Sequence, residues 1–112
     1  MARYMSLFKY NDEGWKGFTT EKAVAREAAL RLAIESAGGK LELLNWAAPG
    51  SKYSGVSIGE FPDGVPFGAY VVSVDVATRM FSEIEVVELF TANEVDRVFG
   101  EPMTFRAPGA CG

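Results

Sequence analysis

The side chains best suited to hold a small molecule lie on two neighbouring stretches of predicted strand. Tyr53 offers a ring that can stack on a ligand and a hydroxyl that can orient it, and Ser57 shares its face of the strand by alternation. Asn45, on the preceding strand, adds an amide that donates and accepts hydrogen bonds. We predict Tyr53 as an orienting or catalytic residue and the other two as ligand contacts. The alternative for Tyr53 is a core residue whose hydroxyl is satisfied within the protein.

Two charged residues are further candidates because of the faces on which the pattern places them. Arg26 falls within the apolar arc of a predicted helix. Its stem either passes the core to reach water, or its guanidinium points into a cavity as the partner of an anion or enolate. Glu88 lies on the opposite face of its strand from Glu83 and Glu85. A buried Glu88 with a raised pKa would serve as a general base, whereas the alternative for all three carboxylates is a solvated strand edge.

Aromatic residues and the lack of histidine narrow the chemistry. Trp15, Phe18 and Trp46 can line the mouth of an apolar cavity, although aromatic residues so placed also serve as core or subunit interface. The chain contains no histidine, which excludes the usual catalytic triads and most zinc sites. We predict neither a metal nor a cofactor. The single cysteine, Cys111, cannot form a disulfide within one chain and is interpreted as an exposed thiol.

Composition indicates one globular domain. The chain has 112 residues, of which 48% are hydrophobic and 23% charged, enough for one core. The net charge of −4, with scattered basic residues, argues against a nucleic-acid partner. No signal-peptide pattern occurs, and no apolar run approaches the ~20 residues of a membrane helix, so we expect a cytoplasmic protein without a membrane partner. We expect one domain over residues 1–99 and a flexible tail over 100–112.

Hydrophobic periodicity predicts an α+β, ferredoxin-like βαββαβ order with a short C-terminal helix. Strands are predicted over residues 3–10, 40–47, 53–61 and 84–90. Residues 65–80 fit a strand or a helix, and their length favours a helix. Right-handed crossovers place both long helices on one face of the sheet. The first strand is apolar on both faces, so the face of the sheet away from the helices must also be buried. A second copy's sheet would bury it, and we therefore predict a homodimer or higher homo-oligomer.

The predicted helix ends follow from local signals. Thr19 or Thr20 is the expected cap of the first long helix, which should end at Gly38. Thr91 and Glu94 have the spacing of a capping box for the terminal helix. These signals predict where the elements begin and end, and therefore which residues can share a face.

Four stretches of the sequence together resemble the GYD-domain family. They are residues 1–10, residues 37–41 leading to Trp46, Tyr53 followed by residues 60–63, and residues 88–96. The resemblance covers about residues 1–99 and implies a dimeric α/β barrel of the ferredoxin-like kind, without a settled activity. In this chain two residues separate Gly50 from Tyr53, and Ser54 stands where the family's Gly-Tyr-Asp triplet has its aspartate.

These observations lead to two functional expectations. The first is a small-ligand-binding protein on a dimeric barrel, extending to a cofactor-independent enzyme of oxygenase, isomerase or cyclase type that acts on an apolar or aromatic molecule. It rests on the fold, because such barrels host chemistry between sheet and helices. The alternative is a non-catalytic assembly or regulatory module whose interior is filled by side chains. An open cavity with converging polar groups favours the first, and a packed interior favours the second.

Overall fold

Four strands and four α-helices make up the part of the chain that the computed structural model describes, residues 1–100. The strands are β1 (Ala2–Tyr10), β2 (Lys40–Trp46), β3 (Gly55–Phe61) and β4 (Phe81–Leu89). The helices are α1 (Asp12–Lys16), α2 (Ala23–Ser36), α3 (Phe67–Thr78) and α4 (Ala92–Gly100). This order confirms the ferredoxin-like α+β prediction, with α1 as an additional element, and the ambiguous segment is the helix α3. The predicted tail beyond Gly100, with Cys111, lies outside the described residues.

The four strands form one antiparallel sheet in the order β2-β3-β1-β4. Phe8 and Tyr10 of β1 are buried in the core, and Tyr4 stacks on Phe67 of α3 with ring centroids 4.3 Å apart. Because side chains alternate along a strand, the even-numbered residues of β1 therefore face the helices. We call this side the helix face of the sheet and the side that carries Met5 and Leu7 the open face.

The core lies between the helix face and the two long helices. Its buried cluster comprises Phe8, Tyr10, Leu41 and Leu44, against which Leu30 and Ile34 of α2 pack. Both α2 and α3 therefore lie on the same side of the sheet, as the predicted right-handed crossovers require. Within residues 1–100, no helix has the length and apolar character needed to cross a membrane.

The start of α2 differs from the prediction. The helix begins at Ala23, and its N-cap, Lys22, makes no side-chain capping hydrogen bond. Thr19 and Thr20 do not cap it because residues 17–19 wind into a 3-10 turn, in which their hydroxyls donate to the carbonyl oxygens of Lys16 and Gly17. The predicted end is confirmed, since Gly38 follows the helix with a left-handed φ of +82°.

The loop after β1 is not the simple connection between strand and helix that the predicted βαββαβ order implies. Asn11 instead caps the short helix α1, and its Oδ1 accepts a hydrogen bond from the Gly14 amide at 3.0 Å. The Asn11 amide donates to Met80 O at 2.9 Å and its Nδ2 donates to Arg79 O at 2.7 Å. Asn11 therefore ties α1 to the residues that lead into β4.

The terminal helix α4 carries the predicted capping box. The Thr91 amide donates to Glu94 Oε1 at 3.0 Å, and the Glu94 amide donates to Thr91 Oγ1 at 3.2 Å. The bond from the Thr91 amide lowers the pKa of Glu94, with a further contribution from the Thr91 side chain, because both stabilise the carboxylate form. The apolar residues Val98 and Phe99 of α4 are exposed, Phe99 by 78%.

Candidate functional site

A cavity of about 180 Å³ lies between the helix face of the sheet and the helices α2 and α3. Most of its walls are apolar side chains, including Phe8, Leu30, Leu44, Phe61, Val71 and Ile84. The polar or partly polar side chains that line it are Ser6, Tyr10, Arg26, Ser57 and Tyr70. An engineered cavity of about 150 Å³ in another protein holds benzene, so this space suits a molecule of about one aromatic ring.

Arg26 brings a cation to the wall of this cavity. Its Nη2 donates to the Gly14 carbonyl oxygen at 3.0 Å, and its Cζ lies 4.0 Å from the ring centroid of Phe18 and 5.4 Å from that of Tyr10. Its Nη1 is buried and has no hydrogen-bond partner within residues 1–100. The structure thus favours the interpretation in which the Arg26 guanidinium lies at the cavity over the one in which its side chain reaches water.

The residues around α1 determine the position of the Arg26 guanidinium. A Cβ at Gly17 would collide with Nη2 of Arg26, so the glycine leaves the space that the guanidinium takes. The Gly14 carbonyl that accepts from Nη2 belongs to α1, which Asn11 caps. Cation–π contact with Phe18 and Tyr10 stabilises the charge against apolar surroundings.

Trp15, Phe18 and Trp46 surround Tyr10 beside Arg26. Ring centroids lie 5.1 Å apart for Tyr10 and Trp15, 5.8 Å for Tyr10 and Phe18, and 5.9 Å for Phe18 and Trp46. The Trp46 indole Nε1 donates to the Tyr10 hydroxyl at 3.2 Å. The three predicted aromatic residues are therefore brought together around Tyr10, but none of them is among the residues that line the cavity, so the prediction that they line its mouth is not supported.

Ser6 and Ser57 place two hydroxyls on the sheet side of the cavity. They lie directly opposite each other in the β1–β3 register, and both line the cavity. Ser57 is a predicted ligand contact, whereas the sequence interpretation missed Ser6. Alternation along β1 could have identified it, because Ser6 is a small polar residue on the same strand face as the buried Phe8 and Tyr10.

Tyr53 and Asn45 lie on the opposite side of the sheet from Ser57. The β3 strand begins at Gly55, so Tyr53 precedes it, and the prediction that Tyr53 and Ser57 share a strand face is wrong. The Tyr53 hydroxyl instead donates to Glu85 Oε2. Glu85 pairs with Leu7 and Asn45 pairs with Val56, both on the open face. The sheet therefore separates these two predicted residues from the cavity.

The Tyr53 hydroxyl is held in its protonated form by its partner. The hydrogen bond to Glu85 raises the pKa of Tyr53 to about 12, with smaller contributions from desolvation and from the charges of Glu85 and Glu83. Lys52 Nζ lies 5.3 Å from the centroid of the Tyr53 ring. Tyr53 is therefore a hydrogen-bond donor at neutral pH, and its ionisation to a base is disfavoured.

Glu88 is exposed, so the structure favours the solvated strand edge over the buried general base. It pairs with Tyr4 on the helix face, near the end of β4, and it does not line the cavity. The predicted separation of faces is confirmed, because Glu83 and Glu85 pair with Lys9 and Leu7 on the open face. Residues 1–100 contain no cluster of three or more histidine, cysteine, aspartate or glutamate side chains placed to hold a metal ion.

Ser54 fastens the loop before β3 to the end of β1. It is 7% exposed, and its Oγ accepts a hydrogen bond from the Tyr10 amide at 3.0 Å. Its own amide donates to Phe8 O at 2.8 Å, and its carbonyl oxygen accepts from the Ala47 amide at 2.8 Å. The side chain at this position thus stabilises the strand that carries the cavity wall.

Comparison with known proteins identifies one family. The family model described as GYD domain matches residues 4–99, from β1 through most of α4. This match confirms the resemblance found in the sequence over about the same residues. No curated protein and no solved structure matches the chain.

Proposed function

This chain belongs to the GYD domain family, and we propose that it binds a small apolar or aromatic molecule in the cavity between its sheet and the helices α2 and α3. The observation that carries the proposal is the cavity of about 180 Å³, whose mostly apolar walls also include the polar side chains of Arg26, Ser6 and Ser57. Ligand sites commonly combine apolar walls with a few polar groups that fix orientation. An interior filled by side chains, as expected of a purely structural module, would leave no such space.

The chemistry open to this site is electrostatic. The described lining provides one guanidinium and several hydroxyls but no carboxylate. Such groups polarise a carbonyl or hold an enolate, and they are poor general bases. Binding is therefore the primary proposed function. If the protein is an oxygenase, isomerase or cyclase, Arg26 would stabilise the anion that forms on the substrate.

We also propose that two copies associate through their open faces, as a homodimer or as the unit of a larger homo-oligomer. Leu43, Ile58, Met5 and Val87 pair in register and form a row of partly exposed apolar side chains across all four strands. A continuous apolar row on a sheet needs cover, and the same row on a second copy supplies it through an isologous contact. This surface is also the feature that favours the second candidate function, an assembly module.

Binding of a neutral aromatic probe to two matched variants tests the proposed cavity. Val71 of α3 lines the cavity, whereas its neighbour Val72 is 62% exposed and does not. We expect ethylbenzene to bind the wild-type protein in titration calorimetry. Val71→Phe should weaken that binding at least about tenfold by filling the space, while Val72→Phe should leave it unchanged.

The outcomes separate the two candidate functions. No binding of the probe to the wild-type protein, or equal binding to Val71→Phe and wild type, would overturn the cavity as the ligand site. Native mass spectrometry of protein purified from its own cells adds a direct measurement of subunit number and of any retained small molecule. A dimer that carries a defined extra mass supports both proposals, and a monomer contradicts the proposed association.

A further inference from the structure

We infer that the ligand of this cavity is an aromatic or otherwise apolar carboxylate, whose anionic group binds Arg26 at the end of the cavity nearest α1. The inference rests on the proposed function, because it requires that the cavity bind a ligand. It adds the charge and the orientation of that ligand, neither of which follows from an apolar cavity alone.

Arg26 carries a charge for which residues 1–100 provide no hydrogen-bonded anion. Its hydrogen-bond acceptor is the neutral carbonyl oxygen of Gly14, and its Nη1 is buried without a partner within residues 1–100. A buried donor on a charged group is costly when it is left unpaired. Phe18 and Tyr10 stabilise the cation through their ring faces, but they leave the in-plane Nη1 donor unpaired. A carboxylate at Nη1 would provide both the missing acceptor and the missing charge.

A second arginine on the same helix shows that this arrangement is specific. Arg31 donates through Nη1 to Leu41 O at 3.1 Å and through Nη2 to Glu27 Oε1 at 3.3 Å. Both of its terminal nitrogens are thus used within the protein, and one of them meets a carboxylate. Arg26, five residues earlier, lines the cavity, and within residues 1–100 its buried Nη1 has no partner.

The pattern of donors favours a carboxylate over a phosphate. Arg26 is the one cation in the described lining of the cavity, and its Nη2 is committed to Gly14 while its Nη1 has no partner within residues 1–100. A phosphate dianion in apolar surroundings needs several cationic or amide donors, whereas a carboxylate needs one charge. The cavity walls beyond Arg26 are mostly apolar and suit an uncharged remainder.

The residues on the sheet side of the cavity indicate how the uncharged part of the ligand is oriented. Ser6 is four residues from Tyr10 along β1, roughly 13 Å at the usual rise of a strand. Between Tyr10, beside Arg26, and Ser6 the helix face of β1 carries Phe8, while Leu44 is level with the two serines because it pairs with Ser57. This spacing accommodates a ring and a short alkyl chain, with the carboxylate toward Arg26 and the ring toward the serines.

Three compounds of one shape and different charge test the inference. In titration calorimetry at neutral pH, 3-phenylpropanoate should bind the wild-type protein at least about tenfold more tightly than 3-phenylpropanamide or 3-phenylpropan-1-ol. Arg26→Gln should remove this preference while the two neutral compounds bind as before. Arg31→Gln, which removes an equal charge from the same helix, should retain it.

A second measurement is independent of any variant's stability. In wild-type protein labelled with ¹⁵N, the side-chain resonances of Arg26 should shift on addition of 3-phenylpropanoate, and much less with the alcohol. Equal affinity for all three compounds would overturn the inference and leave the proposed function intact. Binding of none of them, together with no binding of ethylbenzene, would overturn both. A carboxylate preference with shifts confined to other arginines would also overturn the role of Arg26.

Discussion

Gly17 occupies the position where any larger side chain would displace the guanidinium of Arg26. The glycine lies in the 3-10 turn between α1 and α2, and the arginine lies on the first turn of α2. The conformation of a surface turn therefore determines where a cation sits in the cavity. The same turn supplies Phe18, whose ring lies against the guanidinium.

Gly17→Ala should move Arg26 without removing its charge. Because a Cβ at residue 17 would occupy the position of Nη2, we expect the bond to Gly14 O to break and the preference for 3-phenylpropanoate over the alcohol to fall severalfold. The measurement is calorimetric titration with both compounds. Gly68→Ala is the control, since nothing lies within 4 Å of a Cβ there, and its position in α3 should make it neutral or stabilising by up to about 1 kcal/mol. An unchanged preference in Gly17→Ala would show that the glycine does not control the guanidinium.

Tyr53 should ionise at unusually high pH. The hydrogen bond that its hydroxyl donates to Glu85 raises the pKa of Tyr53 to about 12 from its ordinary value of 10. Because the folded state holds this proton more tightly, the contribution to stability is present below pH 10 and is lost as the pH rises toward 12. Ultraviolet titration at the tyrosinate band, with Tyr53→Phe subtracted to isolate one residue, measures the pKa directly.

Glu85→Gln provides the comparison for that titration. The amide can still accept a hydrogen bond but carries no negative charge, so the pKa of Tyr53 should fall back toward 10 in this variant. Glu88→Gln is the matched control, because Glu88 lies on the other face of β4 and makes no described contact with Tyr53. A Tyr53 pKa near 10 in the wild-type protein would mean that the hydroxyl is not bonded to Glu85 in solution.

Ser54→Ala should destabilise the fold by about 1–3 kcal/mol, because it leaves the amide of Tyr10 buried without its acceptor. Urea denaturation followed by circular dichroism measures the loss. Ser51→Ala, in the same loop but exposed, should change the free energy of unfolding by less than about 0.5 kcal/mol. Equal stability of the two variants would remove the structural role assigned to the Ser54 hydroxyl.

The fold could be predicted because its signals are local. The capping box at Thr91 and Glu94 and the left-handed Gly38 depend on a few consecutive residues, and both are confirmed. The helix α3 was ambiguous because its β-branched residues fit either structure, and its length decided the matter. The cap of α2 was predicted wrongly because Thr19 and Thr20 are used within a 3-10 turn that no simple pattern indicated.

The site was only partly predictable, because it depends on which face of the sheet each strand residue occupies and on which elements bury that residue. Arg26 could be predicted because it is the charged residue in an apolar helical arc, and it is among the residues that line the cavity. Tyr53 was misplaced because β3 begins two residues later than expected, which removes it from the alternation that includes Ser57. The exposure of Glu88 depends on which other elements pack against the end of β4, and the sequence of the strand itself does not determine that packing.

Met5→Asp should abolish self-association while leaving the cavity intact. Met5 lies at the centre of the apolar row on the open face, paired with Ile58 on one side and Val87 on the other, so a carboxylate there would be buried against a second copy's apolar row. In analytical ultracentrifugation we expect the wild-type protein at twice the chain mass or more, and Met5→Asp at the mass of one chain. Val24→Asp, on an 80% exposed position of α2, introduces the same charge away from the open face and should remain associated. A dimer that survives Met5→Asp would place the interface elsewhere, with the exposed Val98 and Phe99 of α4 as the next surface to test.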